Sequence, residues 1–381
     1  MTSRTLNEAR FPFVFNPSTY SLMSISFSLP LANMVASSSP KVVEVGKKVK
    51  NSARPQVLIL ANPTAGARGK TAARRRQLDK VRDELEKNGF AVHLGFENES
   101  KGILERARNA ALAETDIIVA AGGDGTVNAV ANGMLLATDG QRPVSKLAVL
   151  PMGTGNVFAL NMNIPSDIRA ASQVIVEGQV RRIDVGYALP LESTRLPKTA
   201  NLPDTHDLPS PRYFLLMAGV GFDAKVIEDT SLRLKMMLRD FAYAFRSLQN
   251  AVVHQGTEVT LTFDDGSSHS NNSWLLMAGN AASYAWAIKF TEHARLDDGK
   301  LDVCVFPFEN KLTSVQQVMQ LLMGQHIERG SASYYQTTGV RIESTPPVPV
   351  QLDGDEWGTT PLELKMIPGS LDVLAPPPTD R

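Results

Sequence analysis

Residues 116–126 read Asp116-Ile117-Ile118-Val119-Ala120-Ala121-Gly122-Gly123-Asp124-Gly125-Thr126: five apolar residues in succession, then a turn in which three of five positions are glycine. A short continuous apolar run fills a central parallel strand, covered on both faces, and residues 127–138 after the turn suit a helix. Where no Cβ intervenes, backbone N–H groups can approach phosphate oxygens closely, and the following helix N-terminus adds a favourable partial charge. Such turns also serve packing alone, but the embedded Asp124 and Thr126 sharpen the phosphate reading. A carboxylate beside bound phosphates is repelled unless a cation or a shared proton intervenes, so Asp124 implies magnesium in or near the site.

Working outward, the same unit recurs. Val57-Leu58-Ile59-Leu60 is a first strand, closed by the turn Asn62-Pro63-Thr64-Ala65-Gly66. A helical pattern over 71–88 ends at Asn88-Gly89, a C-cap signal, and Phe90–Phe96 returns as a strand. A second helix fits 100–114, and Lys146–Leu150 makes a fourth strand. That strand runs into another glycine turn, Pro151-Met152-Gly153-Thr154-Gly155-Asn156, followed by the helical segment Val157–Leu160. Strands alternating with helices of this length predict βαβ units and a parallel sheet with helices on both faces. In such a sheet all three turns lie at the carboxyl ends of their strands, where ligands bind.

The pattern changes near Pro165. After a helix over 167–177 come hairpin-like segments at Arg182–Leu189, Tyr213–Val220, Glu258–Phe263, Trp274–Ala278 and Leu301–Phe306, then short strands from Gly339 to Leu374. The reading is an α/β nucleotide domain over 55–165 followed by a mainly antiparallel β domain over 166–377. Helices at 231–253 and 311–327 interrupt the β domain. The first interleaves apolar residues with Arg233, Lys235, Arg239 and Arg246, which suits either a cover for a sheet or cleft or a lipid-facing element. Residues 190–212, with five prolines, read as an inserted polar loop. Residues 1–54, rich in Ser and Pro, fall outside the fold as a disordered extension or a targeting segment.

Composition removes several function classes. The 381 residues carry 39 Lys plus Arg against 39 Asp plus Glu, so no bulk positive field holds the chain to nucleic acid. The single cysteine, Cys304, cannot form an internal disulfide and reads as a buried inert thiol, which makes the cytoplasm the default compartment. No run approaches about 18 apolar residues, so no transmembrane helix is expected. The six histidines show no metal-ligand spacing. Attraction to charged partners is therefore local: between Arg68 and Arg82 there are seven basic residues against one acid. That run suits a solvated helix face, phosphate steering by Arg68 or Lys70, or contact of Arg74–Arg76 with an anionic membrane. Two partial motifs fail: Thr64–Thr71 has Thr64 where a P-loop needs its first glycine, and the fingerprint begun by Gly219-Val220-Gly221 lacks its later glycine in a segment that reads as antiparallel β.

The ordered set Asn62-Pro63 with Gly66, Gly122–Thr126, Pro151–Asn156 followed by Phe158-Ala159, Asp184-Val185-Gly186, Gly221-Phe222-Asp223, Leu296-Asp297-Asp298-Gly299 and Asp353-Gly354-Asp355 resembles the diacylglycerol kinase catalytic-domain family over about residues 56–375. That family includes sphingosine and ceramide kinases and soluble bacterial lipid kinases; NAD kinases and phosphofructokinases share the Gly-Gly-Asp-Gly element alone. The resemblance implies an α/β nucleotide domain of the NAD kinase/diacylglycerol kinase-like type followed by a β-sandwich. It implies ATP against Asn62, Gly66, Gly122, Gly123, Asp124, Gly125, Thr126, Asn128, Gly153, Thr154 and Asn156. It also implies a structural magnesium held by Asp298 and the carbonyls of Arg295 and Lys300, although a plain hairpin turn would show the same residues.

Late in the chain the family has Asp-Gly-Glu, whose glutamate is proposed to take the proton from the lipid hydroxyl. Here Asp353-Gly354-Asp355-Glu356 puts the shorter Asp355 at that place, with Glu356 as the neighbouring alternative; Asp353-Gly354 alone would also suit a simple β-turn. The expected activity is ATP- and magnesium-dependent transfer of the γ-phosphate to a hydroxyl of diacylglycerol or a related lipid, with Asp124 organising magnesium and phosphates. The expected setting is a membrane surface, reached by a cytoplasmic, peripherally associated protein of open oligomeric state. Two rivals stand beside it. One is a dinucleotide kinase of the NAD kinase type, against which Gly153–Phe158 speaks; the other is a non-catalytic lipid- or nucleotide-binding protein of the same fold.

Overall fold

Every residue of the strand Ile117–Gly122 is buried, which requires cover on both faces and a partner on each edge. The computed structural model describes residues 54–62, 71–191, 210–221, 256–283 and 288–377 and supplies both. Strands β1 (Gln56–Ala61), β2 (Ala91–Phe96), β3 (Ile117–Gly122) and β4 (Lys146–Pro151) are parallel in the order β2-β1-β3-β4. They alternate with helices α1 (Thr71–Lys87), α2 (Ser100–Leu112) and α3 (Asp124–Leu136), and α4 (Val157–Asn161) and α5 (Ile168–Glu177) follow β4. Asp167 caps α5 by accepting from the N–H groups of Arg169 and Ala170.

Helix α3 starts three residues earlier than the sequence pattern suggests. Gly123 O accepts from Thr126 N (2.9 Å) and Val127 N (3.1 Å), so Asp124 and Gly125 form the first helical turn. Inside this helix Gly133 would cost about 1 kcal/mol relative to alanine from propensity alone. Its place is explained by packing: a Cβ there would run into Leu104 O and Ala107 Cβ of α2, so the two helices cross too closely for a side chain.

The remaining elements are β5 (Gln179–Pro190), β6 (Arg212–Phe214), β7 (Met217–Val220), β8 (Thr257–Phe263), β9 (Ser268–Gly279), β10 (Leu301–Pro307), α6 (Lys311–Leu322), β11 (Ser333–Thr337), β12 (Gly339–Thr345), β13 (Pro349–Leu352), β14 (Asp355–Thr359) and β15 (Leu362–Ala375). The strand expected over Tyr213–Val220 is two, because the N–H groups of Leu215, Leu216 and Met217 turn onto the Asp353 carboxylate instead of a neighbouring strand. The helix expected over 311–327 ends at Leu322 in a Schellman arrangement: Gly324 has φ +66°, its N–H bonds Leu321 O, and Gln325 N bonds Gln320 O. The helix expected at 231–253, residues 63–70, most of the loop 190–212 and residues 1–53 lie outside the described residues.

All the described strands belong to one hydrogen-bonded network, and Ser52–Arg381 forms one compact unit. Strand β15 is the joint. It runs antiparallel to β5 and to β12, and meets β4 in parallel at Val373–Leu147. The β5–β15 register shifts between Ile367 and Leu371, and Asp184 of β5 stands opposite that bulge. Its carboxylate accepts from Gly369 N and from Gly299 N, each at 2.6 Å, so one buried side chain ties the bulge to the Asp297–Lys300 turn. One hydrophobic core fills the α/β half and continues to Trp274 and Phe306. A second lies within the β half and includes Phe214, Leu261, Val303, Trp357 and Leu364. Cys304 is fully buried and burial pushes its thiol up, as expected for an inert core residue.

Gly133→Ala is expected to destabilise the protein by about 1–3 kcal/mol despite alanine's better helix propensity, because the overpacking cost exceeds the gain. The urea-unfolding midpoint measures this, and a rise in midpoint would overturn the close-crossing account.

Candidate active site

The two glycine turns touch. A Cβ on Gly153 would collide with the Gly123 Cα, so position 153 must be glycine for the loops after β3 and β4 to lie against each other, and a Cβ on Gly123 would leave only a tight 3.3 Å to the Gly153 Cα. The second loop is held by Asn156, in the left-handed region at φ +51°. Its Oδ1 accepts from Gly153 N (3.0 Å) and its Nδ2 donates to Gly153 O (3.2 Å), closing the turn on itself. Asp124 bridges the loops: its Oδ1 accepts from Phe158 N at 2.9 Å, capping α4. From α1, Arg74 Nη2 donates to Met152 O at 2.9 Å, while Arg75 stacks on Phe96 with its guanidinium carbon 4.4 Å from the ring centroid.

This arrangement leaves a cradle. Gly125 is exposed with open space where its Cβ would stand, and Thr154 is exposed on the facing loop. The N–H groups of Asp124 and Gly125 precede the first helical hydrogen bonds and are oriented as anion donors. A nucleotide polyphosphate fits the donor set at Gly123, Asp124, Gly125 and Thr154. Magnesium, bound through one carboxylate plus phosphate oxygens, would find Asp124 Oδ2 there, an oxygen with no partner among the described residues. Gly122 and Thr126 support from behind: a Cβ on Gly122 would meet the Thr126 side chain, which is 6% exposed. Asn62 directly follows β1 and donates to Asn98 O at 3.2 Å; Gly66 lies outside the described residues.

Asn128 is placed differently from a nucleotide contact. It is 2% exposed and sits in a polar network that joins the two halves of the chain. Its Nδ2 donates to Asp353 Oδ2 (2.7 Å), and its Oδ1 accepts from Arg212 Nη2 (2.8 Å) and Asn132 Nδ2 (3.1 Å). Asn132 in turn pairs with the backbone of Tyr213 in both directions. Asp353 also accepts from the N–H groups of Leu215, Leu216 and Met217 at 2.7, 2.8 and 3.0 Å. Desolvation raises the Asp353 carboxyl above its ordinary range, opposed by the Leu215, Met217 and Leu216 N–H groups and the Asn128 amide. Four donors aimed at it accommodate the charged form.

Asp353 and Gly354 form the two-residue loop of the β13–β14 hairpin, with φ +51° and +92°, the left-handed pair that Asp-Gly hairpin turns require. The loop delivers Asp355 at the start of β14. There Arg212 Nη2 reaches Asp355 Oδ2 at 2.7 Å while also holding Asn128, so one guanidinium spans from the helix of the first glycine turn to the candidate base. Glu356, the next strand residue, points to the opposite side by the two-residue period of a strand. Arg212 was not singled out from sequence, and Asp353 was read only as a turn residue; the run Asp353-Gly354-Asp355 was the available signal.

The other predicted site lies apart. Asp298 Oδ1 accepts from Lys300 N at 3.0 Å within its own turn, and Arg295 pairs with Asp297. Among the described residues no three His, Cys, Asp or Glu side chains cluster as metal ligands, so a cation in this turn would depend on Asp298 and backbone carbonyls such as those of Arg295 and Lys300. In the β half a cavity is lined by Val220, Val259, Trp274, Leu276 and Val348 together with the polar Thr257 and Ser273. It also reaches Pro349, at the far end of β13 from Leu352 and its partner Asp355, roughly 10 Å along the strand. Among the described residues no helix is long and apolar enough to cross a membrane.

Comparison with known proteins matches residues 56–188 to the diacylglycerol kinase catalytic domain and residues 217–375 to the YegS C-terminal NAD kinase beta sandwich-like domain. The diacylglycerol kinase of Staphylococcus carnosus (strain TM300) is 28% identical over 324 residues, covering 85% of this chain and 96% of that protein. That of Staphylococcus aureus (strain bovine RF122 / ET3-1) is 29% identical over 325 residues, covering 85% and 93%. A crystal structure of a diacylglycerol kinase from Bacillus anthracis str. Sterne superposes with a TM-score of 0.61 at 21% identity, covering 86% of this chain and 99% of that one, and so shares the fold. The fold is thus an α/β catalytic domain followed by a β-sandwich.

Asp353→Asn is expected to cost about 3 kcal/mol or more, because an amide cannot accept from all four donors and leaves buried N–H groups unpaired. Arg212→Ala, which breaks a half-exposed ion pair, is expected to stay within about 1 kcal/mol. Chemical denaturation of both variants checks the contrast, and equal losses would remove Asp353 from its anchoring role.

Proposed function

Because the chain belongs to the diacylglycerol kinase catalytic-domain family, we propose that it transfers the γ-phosphate of ATP to a hydroxyl group of diacylglycerol or a related lipid. The observation that carries this reading is the span of Arg212, which ties the helix of the phosphate cradle to the candidate base through Asn128 and Asp355. Phosphoryl transfer needs little covalent chemistry from a protein; alignment and charge neutralisation dominate. Here the donors around Gly125 and Thr154 hold the phosphates, and Asp124 Oδ2 is the oxygen offered to a magnesium ion, which when bound would neutralise phosphate charge. Asp298, with the carbonyls of Arg295 and Lys300, is the second place proposed for magnesium, in a structural role.

Asp355 Oδ accepts the proton of the lipid hydroxyl as that oxygen bonds to the γ-phosphorus and the bond to the ADP oxygen breaks. Arg212 orients the carboxylate, its Nη2 lying 2.7 Å from Asp355 Oδ2. The cavity that reaches Pro349 of β13 supports a lipid acceptor over a polar one, since a dinucleotide would gain little from its apolar wall of Val220, Trp274 and Leu276.

The test is a lipid-panel assay with ATP and magnesium, the product identified by mass spectrometry. Asp124→Ala is expected to abolish turnover. Asp355→Ala is expected to lower kcat by about 10²- to 10⁴-fold and Glu356→Ala by less than about tenfold. A larger loss in Glu356→Ala would move the base to that residue, and NADP formation from NAD outpacing lipid phosphorylation would replace the reading altogether.

A further inference from the structure

Helix α6 is turned inside out. Its body-facing side carries Ser314, Gln317 and Gln320, all buried, alongside Val318 and Leu321. Gln317 accepts from Trp274 Nε1 (2.6 Å) and donates to Pro307 O (3.0 Å) and Ser331 O (3.1 Å), so polar bonds help hold the helix down. The outward side carries Leu312 (79% exposed), Val315 (50%), Met319 (45%) and, at the C-cap, Met323 (62%). Spacings of three, four and four place these on one helical face, where Gln316 is the polar interruption. Nine large apolar side chains are exposed among the described residues, and four of them form this one stripe. Single exposed apolar residues need no explanation; a contiguous stripe does.

The structure assigns this stripe as a docking face for a lipid surface, with α6 lying flat in the interfacial plane. Three observations select that occupant. From Lys311 to Ile327 there is no carboxylate, and the one exposed charge on the helix is the cation Lys311, so nothing on the face repels an anionic headgroup layer. A 12-residue helix is about 18 Å long and presents on the order of 200–400 Å², short of the roughly 800 Å² per partner of a standard protein interface but enough for an interfacial helix. The buried side of α6 also backs onto the cavity of the β half: Trp274, bonded to Gln317, is among its lining residues. A bilayer on the outer side of α6 would lie one helix thickness from that cavity wall. This assignment goes beyond the proposed reaction and is tested without it.

The full chain is incubated, without ATP, with vesicles of equal parts phosphatidylcholine and phosphatidylglycerol, and the bound fraction is measured by sedimentation. The variant Leu312→Gln/Met319→Gln/Met323→Gln is expected to lose at least about tenfold in vesicle partitioning with an unchanged melting temperature. Unchanged partitioning overturns the assignment. So does a parent protein that is a dimer in solution and a variant that is a monomer, which would give the face to a second copy of the chain. Should the triple variant fail to fold, Met319→Cys labelled with an environment-sensitive dye decides the matter, since the chain's own Cys304 is buried. Its emission is expected to shift to the blue on adding vesicles, while the same label on Val144→Cys, at an isolated exposed position, stays unchanged. Equal behaviour of the two labels overturns the assignment.

Discussion

The Asp353 carboxylate accepts four hydrogen bonds from two places in the chain, and the geometry of the site depends on it. Three donors are consecutive N–H groups between β6 and β7, and the fourth is Asn128 on the helix that follows the first glycine turn. A sheet could have absorbed those N–H groups by continuing one strand from Tyr213 to Val220. Diverting them onto a side chain breaks the strand and brings Arg212 into reach of both Asn128 and Asp355. Because the donors are backbone atoms of fixed spacing, the carboxylate's position is fixed to a fraction of an ångström, and so is that of the hairpin that carries it.

The same device recurs at Asp184, where a buried carboxylate collects the N–H groups of Gly299 and Gly369 at a bulge. In both cases the acid repairs an irregularity in a ladder. The interior of this protein therefore relies on aspartate side-chain acceptors where regular pairing fails, and on glycine where backbones touch, as at Gly153 against Gly123. Each arrangement is intolerant of a small change: an amide for a carboxylate leaves donors orphaned, and a single methyl group separates the loops.

Much of the α/β half was legible in the sequence because its signals are local. Five apolar residues before a glycine turn specify a buried strand and its exit, and the period of α1 and α2 needs no distant partner to be recognised. The helical start at Asp124 was missed because Gly125 is a poor helix former, a preference overridden by the Gly123 carbonyl accepting from Thr126 and Val127. Arg212 was illegible. It follows a proline-rich loop, its partners Asn128 and Asp355 lie 84 and 143 residues away, and nothing in its neighbourhood marks it. The Asp353 turn was visible as Asp-Gly, but which donors the carboxylate serves depends on where another strand breaks. Helix α6 shows a different limit. Its apolar period is plain in the sequence, and a stripe at such spacing reads as the buried face; only packing reveals that Gln317, with three partners, was drawn inward instead.

Strand β15 is the last of the described strands in sequence, yet it occupies the centre of the sheet, between β4 of the α/β half and β12 of the β half, with β5 along its length. Sequence order and spatial order thus run opposite to one another at the joint. On a ribosome, β1 to β4 can pair with one another as they emerge, although the outer edge of β4 still lacks its partner. The join to the β half must wait for the 14-residue β15, which is made after every other described strand. Until then β4 and β5 present open edges, and the interval between their synthesis and that of β15 is when the nascent chain is most exposed to pairing with the wrong partner.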